Sequence, residues 1–258
     1  MTSILTRRRA LGLGAATIGG TLLYAANSRA VSGSAAKTPW EWKEIQPESI
    51  QERAYLSAWE KIGCMYGVLE AVLGTLGDKY GAPYNTFPVE ATVYGSGGIG
   101  GGGSLCGTVN AAGMLFGLFA KSQEDMFALC GEMSLWYEKA PLPVYKPKNP
   151  RQQIPEVTSV SGSNLCHVSS TRWANISGQK LLTPQHFERC NRMVADATVK
   201  VVSMLNEYSR GKMTYREKPN AFSEGCQACH GPAGVKANVA TNMSCNSCHQ
   251  DPHNSAKP

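Results

Sequence analysis

Two short runs near the end of the chain share one grammar: Cys226-Gln227-Ala228-Cys229-His230 and Cys245-Asn246-Ser247-Cys248-His249. Both read C-x-x-C-H, the attachment signature of c-type haem. Thiols three positions apart can each form a thioether with one of the two vinyl groups of a single porphyrin. The histidine that follows is then held under the iron. A C-x-x-C pair alone also suits zinc or thiol–disulfide chemistry, and paired zinc knuckles are the competing reading. Two copies separated only by residues 231–244, each closed by histidine, favour haem. The expectation is two haem c groups per chain. Cys226, Cys229, Cys245 and Cys248 are the thioether positions, and His230 and His249 the proximal iron ligands.

Five histidines are present, so His167, His186 and His253 remain as candidate distal ligands, with Met213 and Met243 as alternatives. Two histidines per iron would close both haems to substrate and make the protein an electron carrier rather than an enzyme. The alternative is a small haem reductase or peroxidase acting on nitrite, an oxyanion or peroxide, which needs one open iron. A redox or gas sensor is a third reading, but the chain shows no output domain.

Nine cysteines less the four haem thiols leave Cys64, Cys106, Cys130, Cys166 and Cys190. In an exported protein these could be disulfides. Four thiolates gathered from separate elements would equally suit a [2Fe–2S] or [4Fe–4S] cluster. The residues alone leave both open. Cys130 reads as a core thiol.

The elements that must position these groups are helical. Apolar residues at Tyr55, Trp59, Ile62, Tyr66, Leu69, Leu73 and Leu76 fall at helical spacing, which predicts one long amphipathic helix over residues 48–76 with Cys64 inside it. Val89 to Tyr94 reads as a short β-like run. The glycine run from Gly95 to Gly103 formally fits G-x-G-x-x-G but lacks the βαβ context of a dinucleotide site. It can instead bring backbone close to an anion at Cys106, just before an apolar helix over residues 106–121. Ser122 and Asp125 read as the cap of a helix running to Glu138, and five prolines from Pro141 to Pro155 mark an irregular crossing. Thr183-Pro184 opens a helix to about Ser209 carrying His186 and Cys190. After Met213 the chain turns polar and loop-like, so its core is expected to be porphyrin. The fold class is mainly α: a helical domain followed by an irregular C-terminal dihaem segment.

Thr6-Arg7-Arg8-Arg9-Ala10-Leu11 is a twin-arginine pattern, followed by a weakly apolar Gly/Ala-rich stretch. An export signal over residues 1–30 is the reading, an uncleaved anchor the alternative. Without those residues 21 basic stand against 19 acidic side chains, so nucleic-acid binding loses its electrostatic motive. A periplasmic location follows, with redox proteins as partners and no membrane span in the mature chain. The divisions expected are residues 1–30 for the signal, 31–212 for the helical domain and 213–258 for the dihaem segment.

Cys64, Cys106, Cys166 and Cys190, with the glycine run leading into Cys106-Gly107 and an Ala/Gly-rich helix behind it, resemble the C_GCAxxG_C_C redox family. Thr108 and Ala111 depart from its core motif. Adding two C-x-x-C-H runs behind such a domain is similar to the arrangement of the split-Soret cytochromes c. The Leu165-Cys166-His167-Val168-Ser169 run and Trp173 look like that family's equivalent segment. The resemblance implies a homodimer, two haems per subunit grouped at one end of the molecule, and an iron–sulfur cluster on those four cysteines, [2Fe–2S] favoured over [4Fe–4S].

Overall fold

Helix α7 (Pro184–Ser209) is the axis of the protein. Thr183 caps it by accepting the His186 N–H at 3.4 Å, and Pro184 pre-sets the first turn. Its 26 residues span about 39 Å. Most of them are buried because α1 (Gln51–Lys61), α2 (Cys64–Leu69), α4 (Gly107–Phe119) and α5 (Gln123–Lys139) pack around it. The structure, a computed structural model, describes residues 36–250. The twin-arginine segment and His253 lie outside the described residues. The fold is mainly helical, as expected. Its sheet is the two-residue pairing of β1 (Pro141–Leu142) with β2 (Ser159–Val160), antiparallel. Among the described residues no helix is long and apolar enough to cross a membrane.

The helix expected over residues 48–76 is broken. Ile62 takes a left-handed conformation (φ 49°) and the Gly63 N–H returns to the Ala58 carbonyl, ending α1. A β-branched residue is strained there. The break starts a new helix at Cys64, so this thiol stands at a helix N-terminus and not in mid-helix. A π-helical turn (Glu70–Gly74) then leads into α3 (Thr75–Tyr80). The β-like run is a 3₁₀ helix (Val89–Gly95), since no neighbouring strand pairs with it among the described residues. The N–H groups of Gly100, Gly101, Gly102 and Gly103 bond carbonyls of Tyr94, Ser96, Ile99 and Gly97, so the glycine run folds on itself.

The Ser122 cap is as expected: its hydroxyl accepts the Asp125 N–H at 3.1 Å and opens α5. The proline-rich crossing is pinned to α7 by Asp196, whose two carboxylate oxygens accept the N–H groups of Val144 (2.8 Å) and Tyr145 (2.9 Å). Burial pushes this carboxyl up to about 6 despite those bonds. An unfolded aspartate releases its proton near 3.9, so between that pH and about 6 the folded chain holds a proton the unfolded chain has lost. Rising pH therefore erodes stability across this window, and the loss is complete above it. Relative to Asp196→Asn, the native protein should lose about 2–3 kcal/mol between pH 4 and pH 7. Parallel pH profiles of urea unfolding for the two proteins would expose the idea as wrong.

The C-terminal segment is more ordered than its polar composition implies. Asn220 accepts the Ser223 N–H and opens α8 (Ala221–His230), where a loop was expected. Two buried carboxylates of α5 hold the segment. Glu132 accepts the N–H groups of Arg216 and Glu217, both at 2.9 Å. Glu138 accepts the Ser244 N–H (3.2 Å) and hydroxyl (2.5 Å). Residues 36–250 thereby fall within one compact unit.

Candidate functional site

Three of the four candidate cluster cysteines start helices. Cys64 and Cys166 are the first residues of α2 and of α6 (Cys166–Ser177), and Cys106 is the N-cap of α4. The N–H groups and dipole of a helix start favour thiolate over thiol. Cys190 comes from the second turn of α7. The backbone aligns two of the entries directly. Leu105 and Leu165 form an antiparallel bridge, with Cys106 N–H to Asn164 O at 2.9 Å and Cys166 N–H to Ser104 O at 2.7 Å.

Glycine makes this approach possible at two places. A Cβ on Gly107 would lie 2.4 Å from the Gly95 carbonyl oxygen, 2.9 Å from the Met65 nitrogen and 3.0 Å from Cys64 Cβ. Gly98, at φ +69°, lets the loop cross Cys166, whose Cβ would lie 2.9 Å from a Cβ there.

The four thiols interact as one group. A hydrogen bond to Cys190, then burial, then the charges of Cys106 and Cys166 hold the Cys64 thiol well above its usual range. The same bond, with His186 and Arg189 assisting against burial, holds Cys190 well below it. Burial, then the neighbouring Cys106 and Cys190 charges, push Cys166 up to about 12. Of Cys64, Cys166 and Cys190, it is therefore Cys190 whose surroundings favour the thiolate, with Cys64 donating to it. Tyr137 closes the other side, fully buried, its hydroxyl donating to Ser169 Oγ at 2.9 Å and in contact with Cys106.

All nine cysteines are free thiols. Among the described residues no three His, Cys, Asp or Glu side chains converge as they would around a single metal ion. Four cysteines close enough to feel one another's charge are nonetheless the donor type an iron–sulfur cluster uses. Cys130 stands apart on α5 against Gly113 of α4, its thiol pushed up by burial alone.

His186 belongs with the thiols. It is buried, its Nδ1 accepts the Leu182 N–H at 3.3 Å, and its Nε2 lies 3.1 Å from Ser170 Oγ and 3.5 Å from Cys190 Sγ. Accepting at Nδ1 leaves the proton on Nε2, directed at Cys190. Both ring nitrogens are thus engaged here. His167 is exposed beside the glycine run, with Nδ1 3.0 Å from Gly103 O, which leaves Nε2 as its ligating nitrogen.

Both C-x-x-C-H motifs line one cleft of about 450 Å³. That lies within the range of about 300–1,000 Å³ usual for ligand sites. On α8, Cys226 and Cys229 share one helix face, as two thioethers to one ring require. The Cys226 and Cys245 thiols are in contact across the cleft, which places the two motifs edge to edge. His230 is oriented by Asn238 Oδ1, 2.9 Å from its Nδ1. Its carbonyl accepts the N–H groups of Asn238 and Val239, closing the loop that forms one wall. Val239, Thr241 and Met243 line the same cleft, whose thiols and imidazoles are the donor types of a covalently attached haem.

Motif spacing did not reveal Arg189, Tyr137, Ser169, Ser170 or Glu138. One signal was available for Arg189. It sits at helical spacing with His186, Met193 and Val194 on the apolar stripe of α7, where a charge has no place without a partner.

Residues 67–204 match the family described as "Putative redox-active protein (C_GCAxxG_C_C)". Split-Soret cytochrome c of Desulfovibrio desulfuricans (strain ATCC 27774 / DSM 6949 / MB) is 30% identical over 256 residues, covering 92% of this chain and 91% of that protein. The solved structure described as "A novel iron centre in the split-Soret cytochrome c from Desulfovibrio desulfuricans ATCC 27774" superposes with a TM-score of 0.75. It is 30% identical and covers 84% of this chain and 93% of that one.

Proposed function

The chain belongs to the split-Soret cytochrome c family, with the C_GCAxxG_C_C redox domain at its centre, and on that premise we propose that it is a periplasmic electron-transfer protein with two haem c groups and an iron–sulfur cluster. The observation that carries this reading is the division of cysteines into two sets with different surroundings. Cys226, Cys245 and Cys248 line the C-terminal cleft with His230 and His249, and Cys64, Cys106, Cys166 and Cys190 act on one another at a separate, largely buried site. The cluster is [2Fe–2S] in preference to [4Fe–4S], exported folded by the twin-arginine route. The protein acts as a homodimer with its haems grouped at one end.

When bound, the haems and the cluster supply reversible one-electron chemistry. The chain's residues hold, orient and insulate. Cys226, Cys229, Cys245 and Cys248 tether the rings, and His230 and His249 take the irons, with Asn238 fixing the His230 tautomer. Cys64, Cys106, Cys166 and Cys190 hold the cluster. Of the distal candidates among the described residues, His167 suits an iron better than His186, whose ring nitrogens are both engaged. No side chain is needed as acid, base or nucleophile, and redox proteins of the periplasm are the partners.

Iron and acid-labile sulfide, counted against haem by pyridine haemochrome on native protein, test the reading. Two haems per chain with additional iron and matching sulfide are expected. Iron equal to haem with no sulfide would return Cys64, Cys106, Cys166 and Cys190 to disulfides or core thiols and leave a plain dihaem cytochrome.

A further inference from the structure

Arg189 has no role in that scheme, yet its position is costly. It is 1% exposed, in the second turn of α7. A guanidinium keeps its charge at any pH the fold survives. Burying it without a counter-ion is strongly unfavourable. Among the described residues no carboxylate pairs with it. The ion pairs of neighbouring Arg192 run to Glu188 and Glu156, on another face of the helix. Asp196 is close enough to feel Arg189, but its oxygens are taken by the Val144 and Tyr145 N–H groups.

What Arg189 does face is the thiol site. Nη2 donates to Ser169 Oγ at 2.7 Å, which fixes the guanidinium beside α6, and Nη1 lies 3.9 Å from Cys190 Sγ. Nε is buried with no partner. Burial alone would lower the Arg189 pKa. Among the groups around it, Cys190, whose sulfur Nη1 approaches, is the first that favours the charged guanidinium. Of the groups in this site that can carry negative charge, the one its guanidinium approaches is therefore the Cys190 sulfur.

We propose that Arg189 is a positioning residue that serves as the fixed counter-charge of the thiol-bound redox centre and raises its reduction potential. This rests on the reading of Cys64, Cys106, Cys166 and Cys190 as cluster ligands. One electron arriving from a ferrous haem, which becomes ferric, adds one negative charge beside the guanidinium and breaks no bond. A buried cation stabilises that extra charge more than the charge already present, so it favours the reduced state. The two C-x-x-C-H haems lie outside its contacts and serve as an internal control.

The test uses the holoprotein as wild type, Arg189→Met, Arg189→Gln and Arg189→Lys. Each is titrated potentiometrically with electron paramagnetic resonance of the cluster and optical detection of the haems, beside iron and sulfide analysis. Removing the charge should cut the reduced-to-oxidised ratio at fixed ambient potential at least tenfold, about 59 mV for one electron. Haem potentials should stay put, and Arg189→Lys should remain near wild type. A neutral variant that keeps cluster and wild-type potential overturns the proposal. If Arg189→Met does not assemble the cluster, the glutamine and lysine variants decide. Retention by lysine alone, or by both variants with the potential lowered only in glutamine, supports the charge. Loss in both, or retention by glutamine alone, overturns it. Wild-type protein without sulfide would instead sink the cluster reading itself, a separate outcome.

Discussion

Gly107→Ala is expected to destabilise the helical unit by about 3 kcal/mol and, on the proposed cofactor content, to strip the thiol site of iron and sulfide while haem stays attached. The added methyl would meet the Gly95 carbonyl oxygen at 2.4 Å and the Met65 nitrogen at 2.9 Å, both backbone atoms that cannot rotate aside. Cys64 Cβ at 3.0 Å is the third obstacle, so the shift that relieves the clash moves a candidate ligand. At this chain length such a loss corresponds to roughly 6–12 °C in melting temperature. The C-terminal cleft is lined by none of these atoms, so the haem spectrum is the control. A variant that melts as wild type and keeps its sulfide would show that α2 and α4 do not need this close approach.

The second large effect concerns the joint between the two redox sites. Glu138 is 1% exposed, and its side chain satisfies both the N–H and the hydroxyl of Ser244, the residue before the second C-x-x-C-H motif. Its own carbonyl accepts the Gly162 N–H at 2.7 Å, which ties the same residue to the strand leading toward Cys166. Glu138→Ala leaves two buried donors unsatisfied, a cost of roughly 2–6 kcal/mol at about 1–3 each. Hydrogen exchange at residues 244–249 should accelerate at least tenfold, with α7 unchanged. Glu138→Gln keeps one acceptor and should fall between the two. Burial raises the Glu138 carboxyl, with the Ser244 bonds opposing, so the neutral amide is the milder change. Exchange in the alanine variant equal to wild type would mean that the covalently tethered haems, not Glu138, hold the second motif in place.

The haem motifs were legible because their chemistry is local. Two thiols and an imidazole within five residues meet one ring whatever the rest of the chain does, and α8 only presents them on one face. The helices of the core were legible from apolar spacing, α7 best of all, because its Thr183-Pro184 start is also a local signal. The single helix expected over residues 48–76 failed on one backbone angle. Apolar periodicity runs through Ile62, but the left-handed turn there re-aims the chain so that Gly67 can cross Ala58 closely. The polar C-terminal segment failed for a related reason. Its order comes from Glu132 and Glu138 on a distant helix, which no local composition reports.

By itself the sequence determined the candidate groups: the two C-x-x-C-H runs, the four spaced cysteines and the glycines beside them. Only the tertiary structure decided what those groups face. It brought Cys64, Cys106, Cys166 and Cys190 together from four helices, set His186 beside Cys190, and placed Arg189 against that thiol with no carboxylate paired to it among the described residues. The physical reason is range. Covalent attachment is set by neighbours in sequence, whereas thiol pKa and the charge balance of a buried site depend on atoms within a few ångströms, contributed by helices far apart in the chain.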